Sequence, residues 1–221
     1  MLSLDTARAW YPFDDPVHGY DHIVRVYRIA ERLAAAEGAD IEIVRASALL
    51  HDIKGTGEQP DIPSTVAESP ALRSDHHRSA AIFTRQALEA EDWSEERIAA
   101  VQHCIRAHRF RDNTEHPETL EAQVLFDADK LDAIGAIGVA RAIAFAVIDG
   151  QPIYAEPSPL FEQTGNLQIG EAHSAYHEYI FKLRNIKDRM YTTSGKELAR
   201  QRHIVMSGFF EQLQNEYNAK S

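Results

Sequence analysis

An all-α fold is predicted by three features of this sequence. Apolar residues recur three and four positions apart through most of the chain, the spacing of helices buried along one face. Asp, Ser and Pro stand where such stretches open, and glycines stand where they close. No stretch alternates polar and apolar residues as a half-buried strand would, and no internal repeat is visible.

Taken in order, Asp15-Pro16 reads as an N-cap and first helical residue. The helix it opens runs to about Glu37, with Ile23, Val26, Ile29, Ala30, Leu33 and Ala34 on one face, and Gly38 stops it. Asp40 caps a second helix whose stripe is Ile43, Ala46, Leu49, Leu50 and Ile53. Residues 55–75, with three prolines, are expected to be a loop, and a third helix covers about 76–90. Ser94, followed by Glu95 and Glu96, opens a fourth that faces Ile98, Val101 and Ile105 inward. After a polar loop near 109–117, one long helix is expected from Leu120 to Val147, with Gly135 and Gly138 permitting close helix approach. The segment 149–170, rich in Pro and Gly, is expected to be a second long loop, and helices over about 171–190 and 194–218 finish the chain.

Composition narrows the function classes. A chain of 221 residues that is 44% apolar and 26% charged can bury one substantial core. No apolar run approaches the roughly 20 residues that span a bilayer. The acidic start lacks the basic and apolar regions of a secretory signal, and the lone Cys104 precludes a disulfide framework, so a cytoplasmic protein is expected. With 34 acids against 23 bases and a net charge of −11, long nucleic acid is a poor partner. A small phosphorylated substrate is not excluded, because a bound cation can reverse the sign of one cleft.

His51-Asp52 carries the chemistry. The pair closes the apolar stripe Ser47-Ala48-Leu49-Leu50, where two polar side chains are costly to desolvate without partners. A metal ion coordinating imidazole nitrogen and carboxylate oxygen meets that cost. His22 lies near the start of the first helix, and Asp129 stands in FDADKLD, where acids interrupt an otherwise buried helix. Asp132 shares the face of Asp129, and Asp127 points away from it.

The order His22, His51-Asp52, Asp129 resembles the HD-domain superfamily of metal-dependent phosphohydrolases. The surroundings, HIVRV, SALLHDI, FDADKLDAIGAIGVAR, HSAYHEYIFKL and GKELARQRHIVMSGFFEQL, resemble one bacterial branch of stand-alone HD hydrolases along nearly the whole chain. The resemblance implies a single HD-type helical bundle, with its core at about 15–148 and additional C-terminal helices at about 171–218. It implies one divalent metal (Mn, Mg, Fe, Co, Ni or Zn) held by His22, His51, Asp52 and Asp129. It further implies hydrolysis of a phosphoester or phosphoanhydride in a nucleotide, some relatives being linked to nucleoside triphosphate pyrophosphohydrolysis.

On that reading the metal activates a water that Asp52 also orients, and His18, Lys54, His108 and Lys130 are candidates to hold phosphate oxygens or protonate a leaving group. Lys54-Gly55-Thr56-Gly57-Glu58 and His108-Arg109-Phe110 depart from the family's pattern by adding positive charge, which leaves the substrate open. Arg25 is read as structural, and His173 and His177 as surface or packing residues. His76, His77 and His103 are candidate ligands for a second metal, which would also need a further acid. Two other classes compete: a nucleotide-sensing module without catalysis, and a di-iron oxygenase of HD type, which requires more histidine ligands.

Overall fold

A computed structural model of the chain describes residues 2–11, 19–53, 82–109 and 115–220. Its helices are α1 (Leu4–Ala7), α2 (Tyr20–Glu37), α3 (Ile41–Leu50), α4 (82–89), α5 (Glu95–Ala107), α6 (Leu120–Asp132), α7 (Gly135–Ile148), α8 (Pro159–Thr164), α9 (Ala175–Phe181) and α10 (Thr193–Tyr217), with 3-10 turns at Arg8–Trp10 and Leu183–Arg189. The fold is all-α. Among the described residues no single helix is long and apolar enough to cross a membrane. The chain packs as two compact units, Met1–Ala128 and Asp129–Ser221.

In the first unit α3 packs on α2 and α5. The stripe Ile23, Val26, Ile29, Ala30, Leu33 and Ala34 is buried, and it ends where Gly38 takes a left-handed conformation with φ 78°. A side chain would strain that conformation, which is why glycine stands there. The helix opens at Tyr20 with Gly19 as its N-cap, later than the Asp15-Pro16 pair indicates. That pair, the 55–75 loop and the first residues of the 76–90 helix lie outside the described residues.

Asp40 does cap α3, accepting from the Glu42 and Ile43 N–H groups, while its own N–H donates to the Glu121 carboxylate of α6 at 2.9 Å. Arg97 on α5 pairs with the same Asp40 carboxylate at 3.1 Å. Burial opposes ionisation of Asp40, but the Ile43 N–H and the Arg97 charge outweigh it and hold the carboxyl below its ordinary value. Asp40→Ala is expected to cost about 1 kcal/mol, the typical loss of an N-cap. Because the folded pKa is depressed, the contribution is present above the unfolded pKa and fades as pH falls through the folded one. Urea denaturation of both proteins at pH 7 and pH 3 checks this, with the gap narrowing at the lower pH.

The second unit corrects the long helix expected from Leu120 to Val147. The chain leaves helix after Asp132 and starts α7 at Gly135, which takes φ 79°. A Cβ on Gly138 would lie 2.3 Å from the Ala133 carbonyl oxygen, so this glycine lets the backbone fold back on itself rather than let two helices approach. The expected 149–170 loop contains α8, capped by Ser158 with Pro159 in its first turn, and the expected 171–190 helix is α9 followed by a 3-10 turn.

Glu171 ties these pieces together. It accepts from the Ser158 N–H at 2.7 Å, the Ser158 hydroxyl at 2.8 Å and the Gln168 N–H at 2.6 Å. Burial opposes its ionisation, but the Gln168 and Ser158 N–H groups prevail and set its pKa at about 2. His177, fully buried, lies 3.2 Å from Glu171 and 2.7 Å from the Ser174 hydroxyl, with its ring on Phe161. The packing reading of this histidine holds. Phe210 is core as well, stacked on Tyr179.

Candidate metal centre

Three helix ends build the site. His22 is the first buried position of the stripe that packs α2, so the burial that docks the helix also delivers the imidazole. His51 is the C-cap residue of α3, and His108 is the C-cap residue of α5. Both rings turn back on their own helix: His51 Nδ1 lies 3.0 Å from the Ala48 carbonyl, and His108 Nδ1 contacts the Ile105 carbonyl. A last-turn carbonyl has no partner within its helix and can only accept, so each Nδ1 carries the proton and donates. Each ring thereby turns its Nε2 atom away from its own helix, the orientation of a metal-ligating histidine held by a carbonyl.

The Nε2 atoms of His22, His51 and His108 face one carboxylate. Asp52 Oδ2 lies 3.5 Å from His22 Nε2 and 3.6 Å from His51 Nε2, while Oδ1 lies 3.6 Å from His108 Nε2. His22 Nε2 and His51 Nε2 are 3.3 Å apart. Burial opposes ionisation of Asp52, but the charge of His51 and hydrogen bonds from His108 and His22 outweigh it, and the carboxyl is held well below its usual range.

Asp129 is the residue after Ala128 on the unbroken helix α6, whose Glu121 end is fastened to Asp40. Its carboxylate, His22 and His51 each offer a ligand atom, all within 4.8 Å of one another. Asp52 does not join that set of three; it approaches the histidines and also His108. Three imidazoles and an anionic carboxylate converging in a buried site need positive charge between them. Either protons on the Nε2 atoms or a cation supplies it. The donor set, imidazole nitrogen with carboxylate oxygen, fits a divalent transition ion.

The other expected site residues fall differently. Lys130 Nζ donates to Asp129 Oδ2 at 2.7 Å. His18, Lys54, His76 and His77 lie outside the described residues. His103 pairs with Glu115 at 2.7 Å and accepts from the Glu118 N–H, so it positions the approach to α6. Asp132, fully buried, pairs with Arg141 at 2.7 Å, and Arg25 pairs with Asp21.

One residue escaped sequence reasoning. Tyr11 is buried, and its hydroxyl donates to the Leu49 carbonyl at 2.8 Å, satisfying the last turn of α3 beside His51. Burial, and then the negative charge of Asp52, push its pKa well above the ordinary phenol value. Nothing near Tyr11 in the sequence marks it, because its partner is 38 residues away. Tyr11→Phe is expected to cost about 1–2 kcal/mol in chemical denaturation, since it leaves a buried carbonyl without its donor.

Comparison with known proteins agrees with this geometry. The HD domain family model matches residues 19–134. YpgQ of Bacillus subtilis strain 168 is 33% identical over 202 residues, covering 90% of this chain and 84% of that protein. The crystal structure of YpgQ in complex with ADP superposes with a TM-score of 0.67 at 30% identity, covering 97% of both chains. An HD-superfamily hydrolase from Bacillus thuringiensis superposes with a TM-score of 0.68 at 26% identity, covering 98% of this chain and 97% of that one. His22, His51, Asp52 and Asp129 all fall within the matched segment, and the chain belongs to the HD domain family.

Proposed function

We propose that this protein is a metal-dependent phosphohydrolase acting on a nucleotide or similar small phosphorylated molecule. The carrying observation is the pair of histidines, His51 and His108, whose Nδ1 protons are taken by carbonyls so that their Nε2 atoms face Asp52. The ADP found with YpgQ and the hydrolase assignment of the Bacillus thuringiensis relative support the substrate class and the reaction class.

His22, His51, Asp52 and Asp129 would hold the ion. When bound, a divalent ion supplies Lewis acidity, lowering the pKa of water and polarising a phosphoryl oxygen. Asp52 has a second task as acceptor and orienter for the attacking water, since one of its oxygens also faces His108. His108 is the candidate proton donor to the leaving group, through Nε2 of its imidazolium form, since Nδ1 is held by the Ile105 carbonyl. Lys130 balances the charge of Asp129 and is a candidate phosphate contact, as are His18 and Lys54. Scission of a triphosphate to release pyrophosphate is the finer reading to test first.

The test is a panel of nucleoside mono-, di- and triphosphates with separate detection of phosphate and pyrophosphate, alongside metal analysis of the purified protein. Turnover that disappears on chelation and returns with one divalent ion per chain is expected. Undiminished turnover in metal-free protein would sink the proposal. Nucleotide binding without turnover would identify a sensor, and two irons per chain an oxygenase.

A further inference from the structure

Helix α6 ends at Asp132, in a turn that carries two site residues, Asp129 and Lys130. The last carbonyls of a helix have no partner along it, and such an end frays unless something else donates to them. Here donors reach the carbonyls of residues 130, 131 and 132. The Ala133 N–H donates to the Lys130 carbonyl at 3.1 Å, and the Ile134 N–H to that of Leu131 at 3.3 Å. Arg202 of α10 also donates to the Leu131 carbonyl. Arg141 of α7 donates to the Asp132 carbonyl at 3.2 Å.

Arg141 does more than close the helix. Its same Nη1 atom donates to the Asp132 carboxylate at 2.7 Å, so one nitrogen holds the main chain and the side chain of that residue together. The Asp132 side chain is fully buried, and that of Arg141 is 21% exposed. Gly138, one turn before Arg141, lets α7 start hard against the end of α6. The Ala133 carbonyl oxygen lies 2.3 Å from where its Cβ would be.

We propose, taking Asp129 as a metal ligand as under the proposed function, that Arg141 is a positioning residue for it. By pinning Asp132, three residues and about 4.5 Å further along the same turn, it keeps that turn wound and the Asp129 carboxylate in ligating position. Stability alone does not account for the pair. A buried ion pair is costly to desolvate, and apolar residues of like size hold a core as well or better. What apolar residues cannot do is donate to the Asp132 carbonyl and fix the backbone of the turn. Arg202 closes the same turn from a second helix, and Lys130, which donates to Asp129 Oδ2 at 2.7 Å, belongs to it too. His51 is oriented by a carbonyl of its own helix, whereas Asp129 depends on arginines from two others.

The experiment is calorimetric titration of Mn²⁺ into the metal-free full chain, with thermal melts of the same metal-free proteins. Asp132→Asn combined with Arg141→Met removes both charges at once, leaves no buried charge unpaired and strips the Asp132 carbonyl of its donor. This double variant is expected to bind Mn²⁺ roughly 10-fold more weakly than wild type, the lower end of what losing a partner that orients a ligand costs. Its melting temperature is expected to stay close to wild type, and its turnover to return at saturating Mn²⁺. Asp132→Asn alone leaves Arg141 on the carbonyl and is expected to bind Mn²⁺ nearly as wild type does. If circular dichroism shows that the double variant has lost its fold, Arg202→Met carries the same expected loss of affinity. That change keeps the stem beside Gly135 and removes the donor to Leu131. Equal Mn²⁺ affinity in wild type and the folded double variant overturns the inference alone. So does an affinity that merely falls in step with melting temperature across the variants. A wild type that takes up no Mn²⁺ overturns the metal reading of the site, and this inference with it.

Discussion

His51→Ala protein is expected to purify without its metal ion and to hydrolyse nucleotide on the order of 10³-fold more slowly than wild type. The size follows from what the ion contributes, several kcal/mol of transition-state stabilisation, where each 1.36 kcal/mol is a factor of ten. His51 is the residue most of the site depends on: its Nε2 lies 3.3 Å from that of His22 and 3.6 Å from Asp52, and its ring packs edge-on against His108. The truncation also strips the Ala48 carbonyl of its donor, a stability cost of about 1–2 kcal/mol. Asp52→Asn separates the two effects. It keeps the shape and side-chain volume, removes the charge, and is expected to lose comparable activity with the melting temperature little changed. Turnover within a factor of a few of wild type in either variant, measured with the nucleotide panel, would remove the metal centre from the mechanism.

Gly138→Ala is expected to destabilise the protein by about 3 kcal/mol, in the range of core overpacking. The added methyl would lie 2.3 Å from the Ala133 carbonyl oxygen and 2.6 Å from its carbon. Both are backbone atoms within a tight reversal and cannot rotate away. Gly135→Ala should cost less, about 1–2 kcal/mol, the ordinary penalty for a left-handed L-residue. Its nearest neighbours are Cβ and Cγ of Arg202 at 3.0 Å, a tight contact that a few tenths of an ångström relieve, against 2.3 Å at Gly138. Thermal melts of the two variants check the order, at roughly 2–4 °C per kcal/mol for a chain of this size. Equal melting temperatures for Gly138→Ala and wild type would mean that the reversal after Asp132 is not formed as described.

Much of the site is legible without coordinates, and for a local reason. His51-Asp52 ends a buried stripe, and Asp129 interrupts one; polar groups in such places need partners wherever the chain goes. His22 is legible only through its company, since one buried histidine on a helix face has many uses. The break after Asp132 is not legible. Apolar spacing on both sides of it is helical, and a helix tolerates a glycine at a cost of only about 1 kcal/mol. Only the positive φ of Gly135 and the carbonyl against Gly138 distinguish two helices from one.

From the sequence alone come the all-α class, the C-terminal stop of α2 and the N-caps of α3 and α5, because caps and stripes act over a few neighbouring residues, and the family resemblance adds the four residues of the candidate metal set. Tertiary structure alone decided which ring nitrogen each histidine presents, how Tyr11 completes α3 from 38 residues away, and where α6 gives way to α7. Those depend on contacts between residues distant in the chain, and no local spacing encodes them.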